Sequence, residues 1–498
     1  MFKKILIFNR GEIAVRIAKT VNELGITSAV LFSDADRSAL HTRYADESYS
    51  IGGYYPAESY LDVDKVISTA KKIKADAIHP GYGFLSENAA FIKAVEESGI
   101  AFIGPSSKTV ETMGKKTDAR RLMHAKGVPI VPGTIDPVTS IEDASKLVQE
   151  IGFPVLIKAS AGGGGKGMKK VTRMEDFADA FESAKREALK AFKDDSVFIE
   201  KLIDDPRHIE VQVLADKHGN YLHLFERECS MQRRHQKVVE EAPSSFLDES
   251  TRKKITNYAL LAAKACGYYN AGTVEFLVDN EKNIYFLEMN TRLQVEHPVT
   301  ELITGTDLVR EQIFIAMDRK LALTQDDIKL KGHAVECRIY AEDPDNNFLP
   351  TTGKVMLHRL PSGPGLRVDR GIDFGSEVGI YYDPLLTKIT TWGIDRISAI
   401  ERMSIALSNY LIAGLYTNIS FLKWIINNDK FRKGDYNINF IDKEFLSLPP
   451  GEWKKQGTEE DELFATAFAA LHRNKKRTET SVLPKACSEN NKWGGNND

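Results

Sequence analysis

Side chains of the kind that bind metals and anions alternate with mostly apolar ones near residue 290. The even-numbered positions carry two carboxylates, two amides and a guanidinium: Glu288, Asn290, Arg292, Gln294 and Glu296. Because successive side chains of an extended chain point to opposite faces, these groups would share one face. Carboxylates suit hard cations, and a guanidinium suits carboxylate-like or phosphate-like anions. The segment predicts a ligand-lined strand, with a solvent-facing edge strand as the alternative.

A hairpin would bring a further carboxylate to this face. Two β-rich runs separated by a short polar turn end at this segment. Pairing centred on the bond between Glu281 and Lys282 places Glu275 directly across from Glu288, with Asn290 on the same face. Two facing carboxylates and an amide oxygen favour Mg²⁺ or Mn²⁺. We expect these three residues to hold a metal; incidental acids on a surface hairpin are the alternative.

A glycine-rich loop is the second feature with chemical potential. Gly162–Gly165 are followed by Lys166, and Lys158 ends the preceding β-rich run. Backbone N–H groups of such a loop can surround phosphate oxygens. A P-loop is excluded because Ser160 and Gly167 replace its required glycine and hydroxyl residues. The loop favours phosphate binding, with a flexible surface loop as the alternative.

A basic run at residues 232–237 contains Arg233, Arg234, His235 and Lys237. Basic runs are typical of solvated faces or nucleic-acid patches. The formal net charge of the chain is −3 and no aromatic residue interrupts the run, which disfavours nucleic acid. A small phosphate-bearing substrate is the better interpretation.

The elements that must position these groups begin with alternating strand and helix patterns over residues 1–110. Apolar runs at 4–8 and 28–32 flank a helical pattern at 12–24, which predicts a parallel sheet. The first turn, Asn9-Arg10-Gly11, lacks the dinucleotide fingerprint, so NAD is not expected. A strand-rich, mixed region follows residue 330, which gives a mixed α/β (α+β) chain of two to four domains.

The whole chain has the composition of a globular protein. It contains 498 residues, and its four cysteines are scattered, which fits a reducing compartment and not a zinc site. Neither a signal peptide nor a membrane span is predicted, so we expect a cytoplasmic protein. The polar tail at 447–498 is expected to be partly disordered, with a short helix near 463–471.

Five motifs in sequence order resemble the biotin carboxylase family of the ATP-grasp superfamily. They are Phe8–Arg16, His79–Asn88, the glycine-rich loop, Cys229–Lys237 and Glu288–Val299. The resemblance implies a Rossmann-like N-terminal domain at 1–113 and an ATP-grasp domain at 114–330 with a mobile lid at about 131–203. It further implies a mixed, β-rich C-terminal domain at 331–446. Ala161 and Lys166 depart from the family's more frequent glycine and arginine.

The resemblance also implies roles for individual residues. Positions matching ATP contacts are Lys116, Lys158, Gly164, Gly165, Glu200, Lys201, Leu202, Ile203, His208, Gln232, His235, Lys237, Glu275 and Glu288. Positions matching metal ligands are Glu275, Glu288 and Asn290, in agreement with the hairpin argument. Positions matching bicarbonate and biotin contacts are Arg292, Gln294, Val295 and Arg338. Positions matching catalytic residues are Arg292, Glu296, Arg338 and Lys237.

The implied reaction is the ATP-dependent carboxylation of biotin by bicarbonate through carboxyphosphate, with Mg²⁺ or Mn²⁺ as two ions. Glu296 would be the general base, and Arg338 would stabilise the ureido oxygen of biotin. The 498 residues contain no Ala-Met-Lys-Met biotinylation motif. We therefore expect a subunit that works with a separate biotin carrier protein and a carboxyltransferase, and the resemblance implies a homodimer. The alternatives are another ATP-grasp carboxylate ligase and a non-catalytic ATP-binding subunit.

Overall fold

The computed structural model describes residues 1–159, 168–192 and 195–449. Residues 1–447 form one compact unit. The glycine-rich loop, including Gly164 and Gly165, lies outside the described residues, as does the tail from residue 450 with its predicted helix. The predictions that rest on those segments therefore stay predictions.

The N-terminal region forms a five-stranded parallel sheet with the order β3-β2-β1-β4-β5. Its elements are β1 (Lys4–Ile7), α1 (Gly11–Glu23), β2 (Thr27–Phe32), α2 (Leu40–Tyr44), β3 (Glu47–Ser50), α3 (Val63–Lys72), β4 (Ala77–His79), α4 (Ala89–Glu97), β5 (Ala101–Phe102) and α5 (Ser107–Gly114). Apolar side chains cover both faces of the sheet, as parallel strands require. The predicted Rossmann-like topology is confirmed.

A small three-stranded sheet with the order β7-β6-β8 follows. Helix α6 (Lys116–Ala125) precedes this region and belongs to a different core. The elements of the region are α7 (Ile141–Ile151), β6 (Val155–Ala159), β7 (Met168–Val171), α8 (Phe177–Phe192) and β8 (Val197–Lys201). Ile157, Phe181 and Ile199 belong to a hydrophobic core of its own. A separate core is what a lid that moves as one body needs; the lid boundaries and its motion stay predictions.

One eight-stranded antiparallel sheet supports the rest, in the order β13-β12-β9-β10-β11-β14-β21-β19. The elements up to residue 316 are β9 (Arg207–Ala215), β10 (Tyr221–Arg233), β11 (Gln236–Ala242), α9 (Glu249–Ala265), β12 (Asn270–Val278), β13 (Ile284–Asn290), α10 (His297–Thr304) and α11 (Leu308–Ala316). Those beyond it are β14 (His333–Tyr340), β15 (Glu342–Asp343), β16 (Leu349–Pro350), β17 (Gly353–Lys354), β18 (Leu357–Arg359), β19 (Leu366–Arg370), β20 (Glu377–Val378), β21 (Leu385–Gly393), α12 (Arg396–Asn409), β22 (Leu411–Ala413), α13 (Ile419–Asn427) and α14 (Asp429–Lys433). The sheet crosses the domain boundary predicted at residue 330, because β11 pairs with β14.

The β12–β13 hairpin has the predicted pairing at the two facing carboxylates. Glu275 lies directly across from Glu288, which confirms the prediction. Nearer the turn, Phe276 pairs with Phe286, so Leu287 is an extra residue that shifts the register by one. The extended geometry predicted beyond Asn290 is wrong, because β13 ends there and the chain turns into α10.

Two chain-wide expectations can be compared with the described residues. Within them, no helix has both the length and the apolar character that a membrane crossing needs. Cys229, Cys266 and Cys337 are free cysteines there.

We predict that Phe276→Ala destabilises the hairpin that carries Glu275. Phe276 is fully buried and contacts the ring of Phe286 edge-on. Removing a buried aromatic ring from a packed core costs about 3–5 kcal/mol. Thermal unfolding should show a clearly lowered melting temperature, while Leu261→Ala, at a position 43% exposed on α9, serves as the matched control. An unchanged melting temperature for Phe276→Ala would contradict the packing described here.

Candidate active site

The ammonium of Lys237 lies between three carboxylates near the middle of the large sheet. Its Nζ is 2.6 Å from Glu210, 3.0 Å from Glu275 and 2.7 Å from Glu296. The first two carboxylates come from β9 and β12, and Glu296 comes from the loop before α10. Burial opposes the ammonium charge, but the carboxylates outweigh it and raise the pKa of Lys237 well above its usual value. Lys237 thus joins the predicted metal ligands to the predicted general base.

Glu210 and Arg227, which are both fully buried, were missed by the sequence reasoning. Arg227 lies 2.5 Å from Glu210 and donates to Gln212 at 2.7 Å. A signal was present, because His208, Glu210 and Gln212 alternate along β9 in the same way as the polar residues near 290. That pattern could have placed Glu210 on the ligand-bearing face.

The predicted metal ligands lie at one edge of this cluster. Asn290 Nδ2 donates to Glu275 Oε1 at 2.8 Å, and Lys116 Nζ is 3.9 Å from Glu288. Burial and the negative charge of Glu275 raise the pKa of Glu288. Burial also opposes the charge of Glu275, but Lys237 and His208 hold the pKa of that carboxyl below its usual value.

This donor set fits a hard divalent cation. Two facing carboxylates and an amide are oxygen donors of the kind that Mg²⁺ takes. The raised pKa of Glu288 marks negative charge that a cation would relieve. Asn290 directs its Oδ1 to Arg292 at 3.1 Å, so ligation by Asn290 requires its amide to turn.

A second group of potential ligands lies alongside. His208, Glu210 and Glu275 have ligand atoms within 4.8 Å of one another. His208 Nε2 is 2.9 Å from Glu275, and its Nδ1 is 2.7 Å from Gln232 Nε2. Lys237 already supplies positive charge between the two carboxylates, so this group is compensated without an ion.

Glu296 is fully buried between two cations. One oxygen is 2.7 Å from Lys237, and the other is 2.8 Å from Arg338. Burial opposes the charge of Glu296, yet Lys237 and Arg338 hold the pKa of this carboxyl well below its usual range. Glu296 is therefore ionised at neutral pH and able to accept a proton. Arg338 is also 2.5 Å from Glu240, a neighbour that the sequence reasoning did not identify.

Arg292 is held by three side chains in the loop after β13. It donates to Glu87 at 2.7 Å, to Gln294 at 2.8 Å and to Asn290 at 3.1 Å. Gln294 in turn donates to Glu275 at 3.1 Å. Glu87 was missed because its motif, His79–Asn88, carries no spacing that indicates chemistry.

The candidate contacts for the rest of a nucleotide form a separate group. Lys158 on β6 binds Glu200 on β8, and Glu200 is also 2.8 Å from Arg120. The segment Leu202–Ile203 follows β8, and the Leu202 N–H donates to the carbonyl of Pro154 at 2.9 Å.

The two remaining candidates lie elsewhere. Lys201 Nζ donates to the carbonyl of Phe153 at 2.7 Å, and His235 is exposed at the turn between β10 and β11. Lys158, Glu200, Lys201 and Leu202 thus make these contacts at or beside the small sheet, and the side chain of His235 is exposed two residues before Lys237.

A cavity of about 470 Å³ opens beside Arg338. Its walls combine both N-terminal motifs with the loop after β13 and the start of β21. Residues that matter here are Glu12, Tyr82, Arg292, Val295, Arg338 and Tyr382. The cavity therefore offers a guanidinium at its inner wall and aromatic rings around it.

Family models match most of the chain. The N-terminal domain of biotin carboxylase matches residues 1–110, the ATP-binding domain of the carbamoyl-phosphate synthase L chain matches 115–324, and the C-terminal domain of biotin carboxylase matches 336–443. A pyruvate carboxylase subunit of Methanothermobacter thermautotrophicus is 49% identical over 476 residues, which cover 96% of this chain and 96% of that protein. The chain belongs to the biotin carboxylase family. Biotin carboxylase 2 of Bacillus subtilis is 50% identical over 89% of this chain and 99% of its own length.

Solved structures agree with this membership. The biotin carboxylase domain dimer of Hydrogenobacter thermophilus 2-oxoglutarate carboxylase, in complex with MgADP, ADP and bicarbonate, has a TM-score of 0.84 and 44% identity. It covers 92% of this chain and 100% of that one. The Campylobacter jejuni biotin carboxylase has a TM-score of 0.84 and 45% identity over 89% of this chain and 99% of that one. The expected mixed α/β fold is confirmed.

The expected activity, ATP-dependent carboxylation of biotin, is confirmed by these family matches. As a member of this family, the chain is an ATP-dependent ligase that carboxylates biotin. The roles of single residues stay predictions.

Two further carboxyls lie behind Arg338 in this biotin carboxylase. Glu240 and Glu336 face each other on β11 and β14, and both are fully buried. Burial raises the pKa of Glu240 to about 7 and that of Glu336 to about 8. Thr390 donates to one oxygen of Glu336 at 2.7 Å, and the other has no hydrogen-bond partner among the described residues.

We predict a pH-dependent gain of stability for Glu336→Gln. The folded protein keeps a proton on Glu336 that the unfolded chain releases above about pH 4.5, so this stability is present at low pH and lost as pH rises through about 8. Glutamine cannot ionise, so from about pH 6 to about pH 9 the stability of the variant relative to wild type should increase by about 3 kcal/mol. Thermal unfolding at both pH values measures this, with Glu97→Gln at an exposed position as control. An equal pH response of the variant and wild type would contradict the buried, proton-retaining state.

Proposed function

We propose that the polar side chains around Lys237, from Glu288 on β13 to Arg338 on β14, carry out both chemical steps of biotin carboxylation, with Glu296 as general base. The observation that carries the proposal is the position of Lys237, which contacts Glu275 at 3.0 Å and Glu296 at 2.7 Å. One ammonium thus links the residues suited to a metal and phosphates with those suited to bicarbonate. Phosphoryl transfer between two substrates requires this kind of proximity.

In the first step, bicarbonate attacks the γ-phosphorus of ATP and displaces ADP. Mg²⁺ held by Glu275, Glu288 and Asn290 would neutralise charge on the transferring phosphoryl group. Arg292 provides a planar fork that matches two bicarbonate oxygens. Its present bonds to Glu87, Gln294 and Asn290 keep the fork in position before the substrate arrives.

Glu296 takes the proton that bicarbonate loses. The neighbours Lys237 and Arg338 keep Glu296 ionised, which makes it available as an acceptor but a weak base in the resting state. The bicarbonate hydroxyl becomes more acidic as its molecule bonds to phosphorus, so the proton transfer becomes favourable during the attack. The base therefore acts in concert with phosphoryl transfer.

In the second step, carboxyphosphate gives CO₂ and phosphate, and the N1 atom of biotin attacks CO₂. The phosphate released from carboxyphosphate takes the N1 proton, which places negative charge on the ureido oxygen, and Arg338 stabilises that charge. The cavity of about 470 Å³ beside Arg338 is the proposed place for biotin.

The remaining predicted residues are assigned to binding of ATP. We assign the segment Glu200–Ile203 to the adenine. The triphosphate contacts are assigned to Lys116, Lys158, His208, Gln232, His235 and the loop with Gly164 and Gly165. The small sheet has its own core, which supports closure of this region over ATP as one lid.

We further propose that biotin arrives on a separate carrier protein and leaves carboxylated for a carboxyltransferase. A relative of nearly the same length is called a subunit of pyruvate carboxylase, which supports this division. A neighbouring structure described as a dimer supports a homodimer, and the cytoplasm is the proposed compartment.

We predict that Glu288→Gln weakens metal use without unfolding the hairpin. The variant loses one of two carboxylates proposed for Mg²⁺, so half-maximal activity should need a roughly tenfold or higher Mg²⁺ concentration. ADP release at varied Mg²⁺ measures this. Glu281→Gln, in the exposed turn of the same hairpin, is the matched control. The same Mg²⁺ dependence in Glu288→Gln and wild type would remove Glu288 from the metal site.

We predict that Glu296→Gln keeps nucleotide binding but lowers biotin-dependent turnover by about 10²-fold or more, the usual contribution of a general base. In wild type, ADP release should require bicarbonate and rise with free biotin. Glu249→Gln, at an exposed position on α9, controls for loss of a carboxylate. Full activity of Glu296→Gln would exclude it as the base, and stimulation of wild type by an amino acid in place of biotin would overturn the function.

A further inference from the structure

Lys388 is a fully buried lysine that the proposed reaction leaves without a role. It lies on β21 with 0% side-chain exposure. Its Nζ donates to the carbonyl of Val295 at 2.6 Å and is 3.2 Å from Glu12 Oε1. Asp369 is its cross-strand neighbour on β19. A buried ammonium is costly unless it is paired, so its position here has a definite structural consequence.

The contact with Val295 fixes one peptide unit of the loop that carries Glu296. The carbonyl of Val295 and the N–H of Glu296 belong to the same planar, trans peptide. Holding the carbonyl toward Lys388 therefore directs the Glu296 N–H to the opposite side. Strand β13 ends at Asn290, so the peptide unit after Val295 lies beyond the strand, and the bond from Lys388 restrains it.

The other partner of Lys388 belongs to the N-terminal motifs. Glu12 is buried, and its Oε1 also accepts a hydrogen bond from the hydroxyl of Tyr82. Both residues line the cavity beside Arg338. Asn9 Nδ2 donates to the carbonyls of Pro80 and Tyr82 at 2.7 Å each, so the two motifs hold each other.

We propose that Lys388 is a positioning residue for bicarbonate: its bonds to the Val295 carbonyl and to Glu12 hold the loop before α10 and tie it to the cavity wall that carries Tyr82. This rests on the proposed assignment of the loop to bicarbonate. Lys388 acts through Val295 and touches no substrate. The arrangement also gives Glu12 and Tyr82 a shared function, since the wall of the biotin cavity and the bicarbonate loop then move together.

Lys388→Met removes the donor and keeps a side chain of similar length. The KM for bicarbonate should rise about tenfold or more, as expected for loss of a hydrogen bond from a charged donor. The KM for ATP should change by less than about threefold. Lys253→Met, at a position 73% exposed on α9, is the matched control and should leave all constants unchanged.

A double variant separates positioning from charge balance. Lys388→Met alone leaves Glu12 buried without its cation, which lowers stability. Glu12→Gln combined with Lys388→Met removes both charges and should restore the melting temperature toward wild type. We expect the raised KM for bicarbonate to persist in this double variant, because the Val295 carbonyl still lacks its donor.

Two outcomes overturn the proposal: an unchanged KM for bicarbonate in folded Lys388→Met, or a double variant that recovers both the melting temperature and the KM. The same assay on wild type checks the function on which the proposal rests. If wild-type ADP release does not depend on bicarbonate, the proposed function fails. If it does, and the variants behave as wild type, only the role of Lys388 fails.

Discussion

The site depends on one buried cation among three carboxylates. Lys237 binds Glu210, Glu275 and Glu296 within 3.0 Å. Without it, three carboxylates would share a buried space at a high electrostatic cost. With it, the strand that carries Glu275 and the loop that carries Glu296 have one fixed separation. The chemistry of ATP and the chemistry of bicarbonate are adjacent because of this interaction.

The large sheet makes that interaction possible. Seven strands that are neighbours in the sheet, in the order β13-β12-β9-β10-β11-β14-β21, carry polar residues of the site or of its immediate support. Two of them, β11 and β14, pair across the boundary predicted at residue 330, so Arg338 is fixed relative to Lys237 by backbone hydrogen bonds. An antiparallel sheet suits this purpose because alternate residues of every strand face the same side.

Prediction from the sequence was correct where local periodicity determines the structure. The pairing of Glu275 with Glu288 followed from the turn and the alternation, although Leu287 shifts the register nearer the turn. Periodicity failed past Asn290, where tertiary contacts to Arg292 and Val295 replace strand pairing. Glu87 and Glu240 were missed because each meets its partner only through the fold. Resemblance to the family, not spacing, supplied Arg338 and the segment Glu200–Ile203.

The central claim is that ATP and bicarbonate react with each other at the site around Lys237. The most direct measurement uses bicarbonate labelled with oxygen-18 and follows the label into phosphate during biotin carboxylation, before exchange with water. The bicarbonate oxygen that attacks phosphorus stays bonded to it, so each released phosphate should carry one labelled oxygen. Phosphate without label, formed while biotin is carboxylated, would contradict the claim.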